Sequence, residues 1–183
     1  MKIAYVGGDI RMPESAYYAR TKGYKISLFG FDKYEYCPRC FDIENDLFKT
    51  LKNADAIILG IPTSFDGKTI YAPYSSQEIR ISELLLKAPE KAIIFGGKTE
   101  FLNTYDNFKI IDYLSLEEFT LKNAKITAEG AIYTAMSEIP HTINGSECLV
   151  MGYGRIGKFL AELLHAMGAK VTCSARKLPI SPL

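Results

Sequence analysis

No tryptophan occurs among the 183 residues, histidine appears twice, and neither sign of charge dominates: 22 Lys and Arg stand against 21 Asp and Glu, a formal net charge of +1. That balance, with no basic run, argues against a nucleic-acid surface. No apolar stretch reaches the ~18 residues of a membrane span. Met1-Lys-Ile-Ala-Tyr-Val6 enters a strand at once, so no secretory signal is expected and the location reads as cytoplasmic. Four cysteines are no disulfide scaffold. Cys148 and Cys173 fall in strand-like runs and read as reduced core residues. Cys37-Pro-Arg-Cys40 has the spacing of half a zinc site, but no second C-x-x-C or His pair supplies the other ligands. Nor does it open a helix after a strand, as a redox motif would. It reads as a loop pair, and no metal is expected. His165 lies within a helical stretch and reads as a surface or packing residue. His141 sits near a junction, where it could reach a cleft.

What the chain does carry is Cys148-Leu-Val-Met-Gly152-Tyr-Gly154-Arg-Ile-Gly157, an apolar run opening through G-x-G-x-x-G onto the amphipathic Lys158–Met167 stretch. Strand, glycine turn and helix in that order are the context that a dinucleotide fingerprint requires. Gly152 allows the tight turn, Gly154 lets backbone approach a pyrophosphate, and Gly157 lets helix and strand pack closely. The helix start would then present N–H groups and a positive dipole end to the phosphates. Gly168 reads as the residue just past the helix, and Ala169–Ser174 as a second strand. An NAD site usually has an acidic residue at the end of that strand for the ribose 2′-OH. Here stand Ser174, Ala175, Arg176 and Lys177, and a guanidinium suits a 2′-phosphate. The expectation is NADP(H), bound by Gly152, Tyr153, Gly154, Arg155, Ile156, Gly157 and Ser174 to Lys177; a solvated basic turn is the alternative at the last four.

Upstream, strand and helix alternate. Strands are expected at Lys2–Val6, Tyr24–Phe29, Ala54–Ile61, Lys91–Phe95 and Lys109–Asp112. Helices are expected at Pro13–Thr21, Asp46–Asn53 and Ile81–Lys87, and a small-residue helix at Thr127–Ser137 with Thr127 as its N-cap. The Ile/Leu/Val runs are continuous rather than alternating, as in parallel strands covered on both faces. The class is therefore α/β: an N-terminal doubly wound parallel sheet, flavodoxin- or Rossmann-like, plus the first βαβ unit of a Rossmann dinucleotide-binding domain. The expected domains are 1–125, a connector helix and linker at 126–146, and a partial NADP-binding domain at 147–183. Such sheets bind ligands beyond the carboxyl ends of their strands. That places Gly8, Asp9, Arg11, Pro62, Thr63, Ser64, Gly97 and Lys98 as candidates, with Arg11 or Lys98 suited to a carboxylate and Thr63 or Ser64 to hydrogen bonds with it.

Gly7-Gly-Asp-Ile-Arg11, Leu28-Phe-Gly-Phe-Asp32, Ala54-Asp-Ala-Ile-Ile-Leu59, Thr127-Ala-Glu-Gly-Ala-Ile132 and Gly152-Tyr-Gly-Arg-Ile-Gly157 with Ala175-Arg176 together resemble the family of dipicolinate synthase A subunits, over essentially the whole chain. The resemblance implies an NADP-linked step toward dipicolinate from the dihydrodipicolinate stage of the lysine pathway, during sporulation. It implies a small cyclic dicarboxylate substrate held between two domains and a flavoprotein-like B subunit. It carries over Gly8, Asp9, Arg11, Thr127 and Glu129 on the substrate side, and Gly152, Gly154, Arg155, Gly157 and Arg176 on the cofactor side. Residues 147–183 amount to one βαβ unit where a dinucleotide domain has two βαβαβ halves. Roughly a hundred further residues are therefore expected in a full domain. A chain without them is expected to hold NADPH weakly, to lack turnover and to form a homo-oligomer. The other functional readings are a 2-hydroxyacid dehydrogenase-like NAD(P) enzyme and a non-catalytic nucleotide-binding or scaffold subunit.

Overall fold

A computed structural model describes residues 1–35, 41 and 43–175. In chain order these form β1 (Lys2–Val6), α1 (Arg11–Thr21), β2 (Lys25–Phe29), β3 (Ile43–Glu44), α2 (Leu47–Leu51), β4 (Ala56–Leu59), α3 (Ile81–Lys87), β5 (Ile93–Gly96) and β6 (Lys109–Asp112). Then follow α4 (Glu117–Glu138), β7 (Glu147–Met151), α5 (Arg155–Ala166) and β8 (Lys170–Ser174). The chain divides into two compact units, Met1–Leu114 and Ser115–Leu183. The expected first boundary at residue 125 thus falls inside α4.

The first unit is a six-stranded sheet of order β3-β2-β1-β4-β5-β6, and every pairing is parallel. This is the Rossmann order, in which the sheet grows outward in both directions from β1. Alternate side chains go to opposite faces. Ala4, Val6, Ile57, Leu59 and Ile94 pack with Leu47 and Leu51 of α2 and Leu84 of α3. Ile3, Tyr5, Leu28 and Ala56 pack with Met12 and Ala16 of α1. Burial on both faces is why the strands read as unbroken apolar runs.

Local rules place the helices. Asp46 caps α2, its carboxylate accepting from the Phe48 and Lys49 N–H groups. At the other end of α2 the Lys2 ammonium donates to the Lys49 and Lys52 carbonyls at 3.2 and 2.6 Å. Partial burial holds the Lys2 pKa below the ordinary lysine value. Strand β3 was not anticipated; two residues carry no periodicity.

The second unit packs α4 and α5 with the parallel pair β7–β8. Its core holds Ile143, Val150, Ala161, Leu164 and Ala169. The opposite side of β7 presents Leu149 and Met151, both exposed. Helix α4 corrects the expectation at Thr127: the helix begins ten residues earlier, and Thr127 lies inside it, donating to the Asn123 carbonyl rather than capping. The stronger start signal is acidic, Glu117 and Glu118 in the first turn with a Glu118–Lys122 pair one turn on. Gly168 follows α5 as expected, with φ +85° and its N–H donating to the His165 carbonyl.

Ile57, fully buried in the central sheet, and Leu86, 86% exposed on α3, give a contrast. Ile57→Ala should destabilise by about 2–5 kcal/mol, and Leu86→Ala by no more than about 0.5 kcal/mol. Urea midpoints that move equally would contradict this placement of the core.

Candidate functional site

The glycine turn of the second unit is built as a cradle. Gly152 ends β7 with φ +111°, and its N–H donates to the Ser174 carbonyl, fastening the turn to the end of β8. A Cβ at Gly157 would run into the Gly152 carbonyl, so this position permits hydrogen alone. At Gly154 a Cβ would meet nothing within 4 Å. The space there is open, and it adjoins a cavity of about 400 Å³ lined by Thr120, Asn123 and Ala124 of α4 and by Gly154, Arg155, Ile156 and Gly157. Gly154 is the N-cap of α5 and supplies no side-chain cap, so the first-turn N–H groups keep their capacity to donate. The residues present fit a pyrophosphate: one glycine shapes the turn, one yields space, one admits the helix.

The matching turn in the first unit is built differently. Gly7 and Gly8 end β1 with φ +59° and +90°, and a Cβ at Gly60, after β4, would come within 2.7 Å of the Gly8 Cα. Backbones therefore meet closely where β1 and β4 diverge. The first turn of α1 already holds a carboxylate: Asp9 Oδ1 accepts from the Arg11 N–H at 3.0 Å. The same carboxylate takes the Arg11 fork, Nε at 2.9 Å and Nη2 at 2.7 Å. Those hydrogen bonds hold the Asp9 carboxyl below its ordinary range and raise the Arg11 value. Arg11 Nη2 also donates to the Ile61 carbonyl at 3.3 Å, and the Tyr113 hydroxyl donates to the Leu59 carbonyl at 2.6 Å. Burial pushes the Tyr113 phenol well up.

Thr63 is fully buried; its hydroxyl donates to the Gly60 carbonyl and accepts from the Gly97 N–H. Ser64 donates to Asp66 and accepts from the Gly67 N–H. Backbone N–H groups of Thr69 and Lys68, with Ser64 adding a further bond, hold Asp66 far below the usual carboxylate range. The Thr63 hydroxyl is spent on tying the loop after β4 to the loop after β5, and the Ser64 hydroxyl on bonds within the loop after β4.

Residues 2–114 match the family described as the N-terminal domain of the dipicolinate synthase A subunit. The chain belongs to that family. It is 28% identical to the dipicolinate synthase A subunit of Bacillus subtilis over 185 residues, covering 96% of this chain and 61% of that protein. The crystal structure of the same Bacillus subtilis protein superposes with a TM-score of 0.73 at 27% identity, over 97% of this chain and 61% of that one. The Bacillus halodurans A subunit gives 0.76 at 27% identity, over 96% and 62%. The chain thus spans about 61% of the length of the relatives it matches.

In this member of the dipicolinate synthase A family, the residues singled out from the sequence divide between the units. Gly8, Asp9, Arg11, Thr63, Ser64 and Gly97 gather at the carboxyl ends of β1, β4 and β5. Lys98 is exposed there in a left-handed backbone conformation, φ +61°. Thr127 and Glu129 are exposed on α4. Gly152 to Gly157 form the cradle, and Ser174 and Ala175 follow along the exposed end of β8. Arg176, Lys177, Cys37 and Cys40 lie outside the described residues. His141 and His165 are exposed. Cys148 is half-buried and Cys173 exposed, and both are free thiols. No group of metal-ligating side chains forms among the described residues, and no helix among them is long and apolar enough to cross a membrane. Sequence reasoning missed Glu117 and Tyr113, whose places follow from tertiary structure.

Gly157→Ala should cost about 1–3 kcal/mol, since a backbone carbonyl must give way. Gly154→Ala should leave the thermal midpoint of the second unit nearly unchanged. Melts followed by circular dichroism separate the two, and equal losses would refute the open cradle. For Asp9, a depressed pKa means its stabilisation is fully present above its ordinary value of 3.8 and is lost as pH falls through the lower folded value. Asp9→Asn should therefore flatten the stability profile on that acid side alone, and an unchanged profile would contradict the clamp.

Proposed function

We propose that this chain is the A-subunit part of an NADP-linked oxidoreductase that forms dipicolinate from a dihydrodipicolinate-stage intermediate during sporulation. The second unit holds the dinucleotide and the first recognises a small cyclic dicarboxylate. One observation carries the reading: the turn Gly152–Gly157 combines open space above Gly154 with an uncapped α5 start, the arrangement that a pyrophosphate needs. Converting a dihydro ring to an aromatic one removes a hydride and a proton, and NADP+ supplies the hydride acceptor when bound.

The chain's own residues bind and orient. N–H groups of Arg155, Ile156 and Gly157 would hold the phosphates, while Tyr153 stands between the first two glycines of the turn. Ser174 ends the second strand and Ala175, Arg176 and Lys177 come next in the sequence, where the 2′-phosphate of NADP(H) would be recognised in such folds. On the substrate side Arg11 supplies charge for a carboxylate, and Asp9 fixes the direction of its fork. Gly8 and Gly97 give close backbone approach; Thr63 and Ser64 hold the loops that border the crevice. Thr127 and Glu129, exposed on α4, are carried into this reading by the resemblance alone. A flavoprotein-like B subunit belongs to the same reading, from the resemblance rather than from any contact, and self-association and action in the cytoplasm are carried with it as expectations from the sequence.

Charge at Arg176 is what should separate NADPH from NADH. Arg176→Glu should weaken NADPH by about 1–3 kcal/mol, the scale of a lost charge-assisted bond, and leave NADH little changed. Calorimetric titration checks this, and an unchanged NADPH affinity would remove the basis for preferring the phosphorylated cofactor.

A further inference from the structure

Among the described residues, Arg155 is the one charged residue lining the cavity beside Gly154. It does not stand open: Nε donates to Glu117 Oε1 at 3.2 Å, and Nη2 donates to Glu117 Oε2. The partner lies 38 residues away in sequence, at the first position of α4. The Nε–Nη2 edge is a fork with which a guanidinium takes two oxygens of one phosphate. A carboxylate thus occupies a binding edge on the rim of the cavity that the proposed dinucleotide would enter.

We propose that Glu117 is an internal stand-in for a nucleotide phosphate, displaced from Arg155 when the dinucleotide binds, and that it thereby sets the affinity of the site. This rests on the dinucleotide reading above and adds to it a specificity-determining residue. Exchange is easy from both sides. The side chains of Arg155 and Glu117 are 55% and 63% exposed, so water already screens their attraction. Once released, Glu117 is not stranded, because a carboxylate in the first turn of α4 is favoured by that helix's own N–H groups and dipole. The incoming phosphate gains more than the fork, since the uncapped start of α5 adds N–H donors. The neighbouring cations are otherwise engaged: Lys158 lies over the Tyr153 ring, Lys125 over Phe159, and Lys122 pairs with Glu118.

A plain staple between α4 and α5 would behave differently. Losing a staple lowers stability and leaves nucleotide affinity equal or poorer; losing a competitor tightens binding. The experiment is calorimetric titration of NADPH into the 183-residue chain and into Glu117→Gln, Arg155→Gln and the double variant, with melts to verify folding. Glu117→Gln should bind about two- to fivefold more tightly, the factor that an exposed ion pair can withhold. Arg155→Gln should bind more weakly, and the double variant should match Arg155→Gln, because Glu117 acts through that guanidinium. Phosphate-free adenosine should not distinguish Glu117→Gln from the parent. Unchanged or weaker NADPH binding by Glu117→Gln overturns the inference, and so does an equal gain in the Arg155→Gln background. A parent that does not bind NADPH, or a Gly154→Val variant that binds as tightly as the parent, overturns the dinucleotide reading and the inference with it.

Discussion

A parallel strand covered on both faces must be apolar on both faces, and the first unit is arranged to satisfy that demand. Ala4 and Val6 face one helical layer while Ile3 and Tyr5 face the other. Helices on both sides follow, and with them the reversal of strand order between β1 and β4, two strands that run parallel. That reversal opens a crevice at the carboxyl ends of the strands. Glycine is needed there because backbones meet: Gly60 lies against Gly8, with no room for a side chain between them. Site geometry is in this sense a by-product of covering the sheet.

Two strand-to-helix turns in one chain answer the same electrostatic problem in opposite ways. At the start of α1 the uncovered N–H groups meet Asp9, a carboxylate built into the turn and clamped to Arg11 two residues on. At the start of α5 the turn has no carboxylate of its own, and Gly154 leaves the space open. The arginine there is held from another helix, by Glu117. The two arginines are similarly exposed, and the pairs differ in the carboxylate, Asp9 being half-buried and Glu117 exposed. Under the proposed function the first turn supplies a cation for a carboxylate and the second receives phosphate.

The βαβ unit at 147–174 was legible in full, since apolar runs, glycine spacing and an amphipathic helix all agreed there. Strand β6 was legible as well, as the short run Lys109-Ile-Ile-Asp112. The start of α4 was not: Thr127 is a good cap in isolation, yet ten residues of helix-forming sequence precede it, and propagation outweighs a candidate cap inside a helix. The roles of Thr63 and Ser64 were beyond reach for another reason. A hydroxyl near a crevice can face a ligand or bind the loops together, and only the Gly60, Gly97 and Gly67 partners decide which.

The sheet order has a consequence for synthesis. Strand β1 comes first in the chain yet takes the centre of the sheet, and its partner β4 lies more than fifty residues downstream. At 5–20 residues per second, roughly 3–10 s separate the two on the ribosome. During most of that interval Ile3, Ala4, Tyr5 and Val6 can be sheltered by α1 and β2, with α2 following only at its end. One side of the nascent strand stays an open, apolar edge, which is the state that chaperones recognise and that aggregation exploits. The vulnerable moment of this protein falls before the crevice exists, and the rate at which residues 7–55 are translated sets how long it lasts.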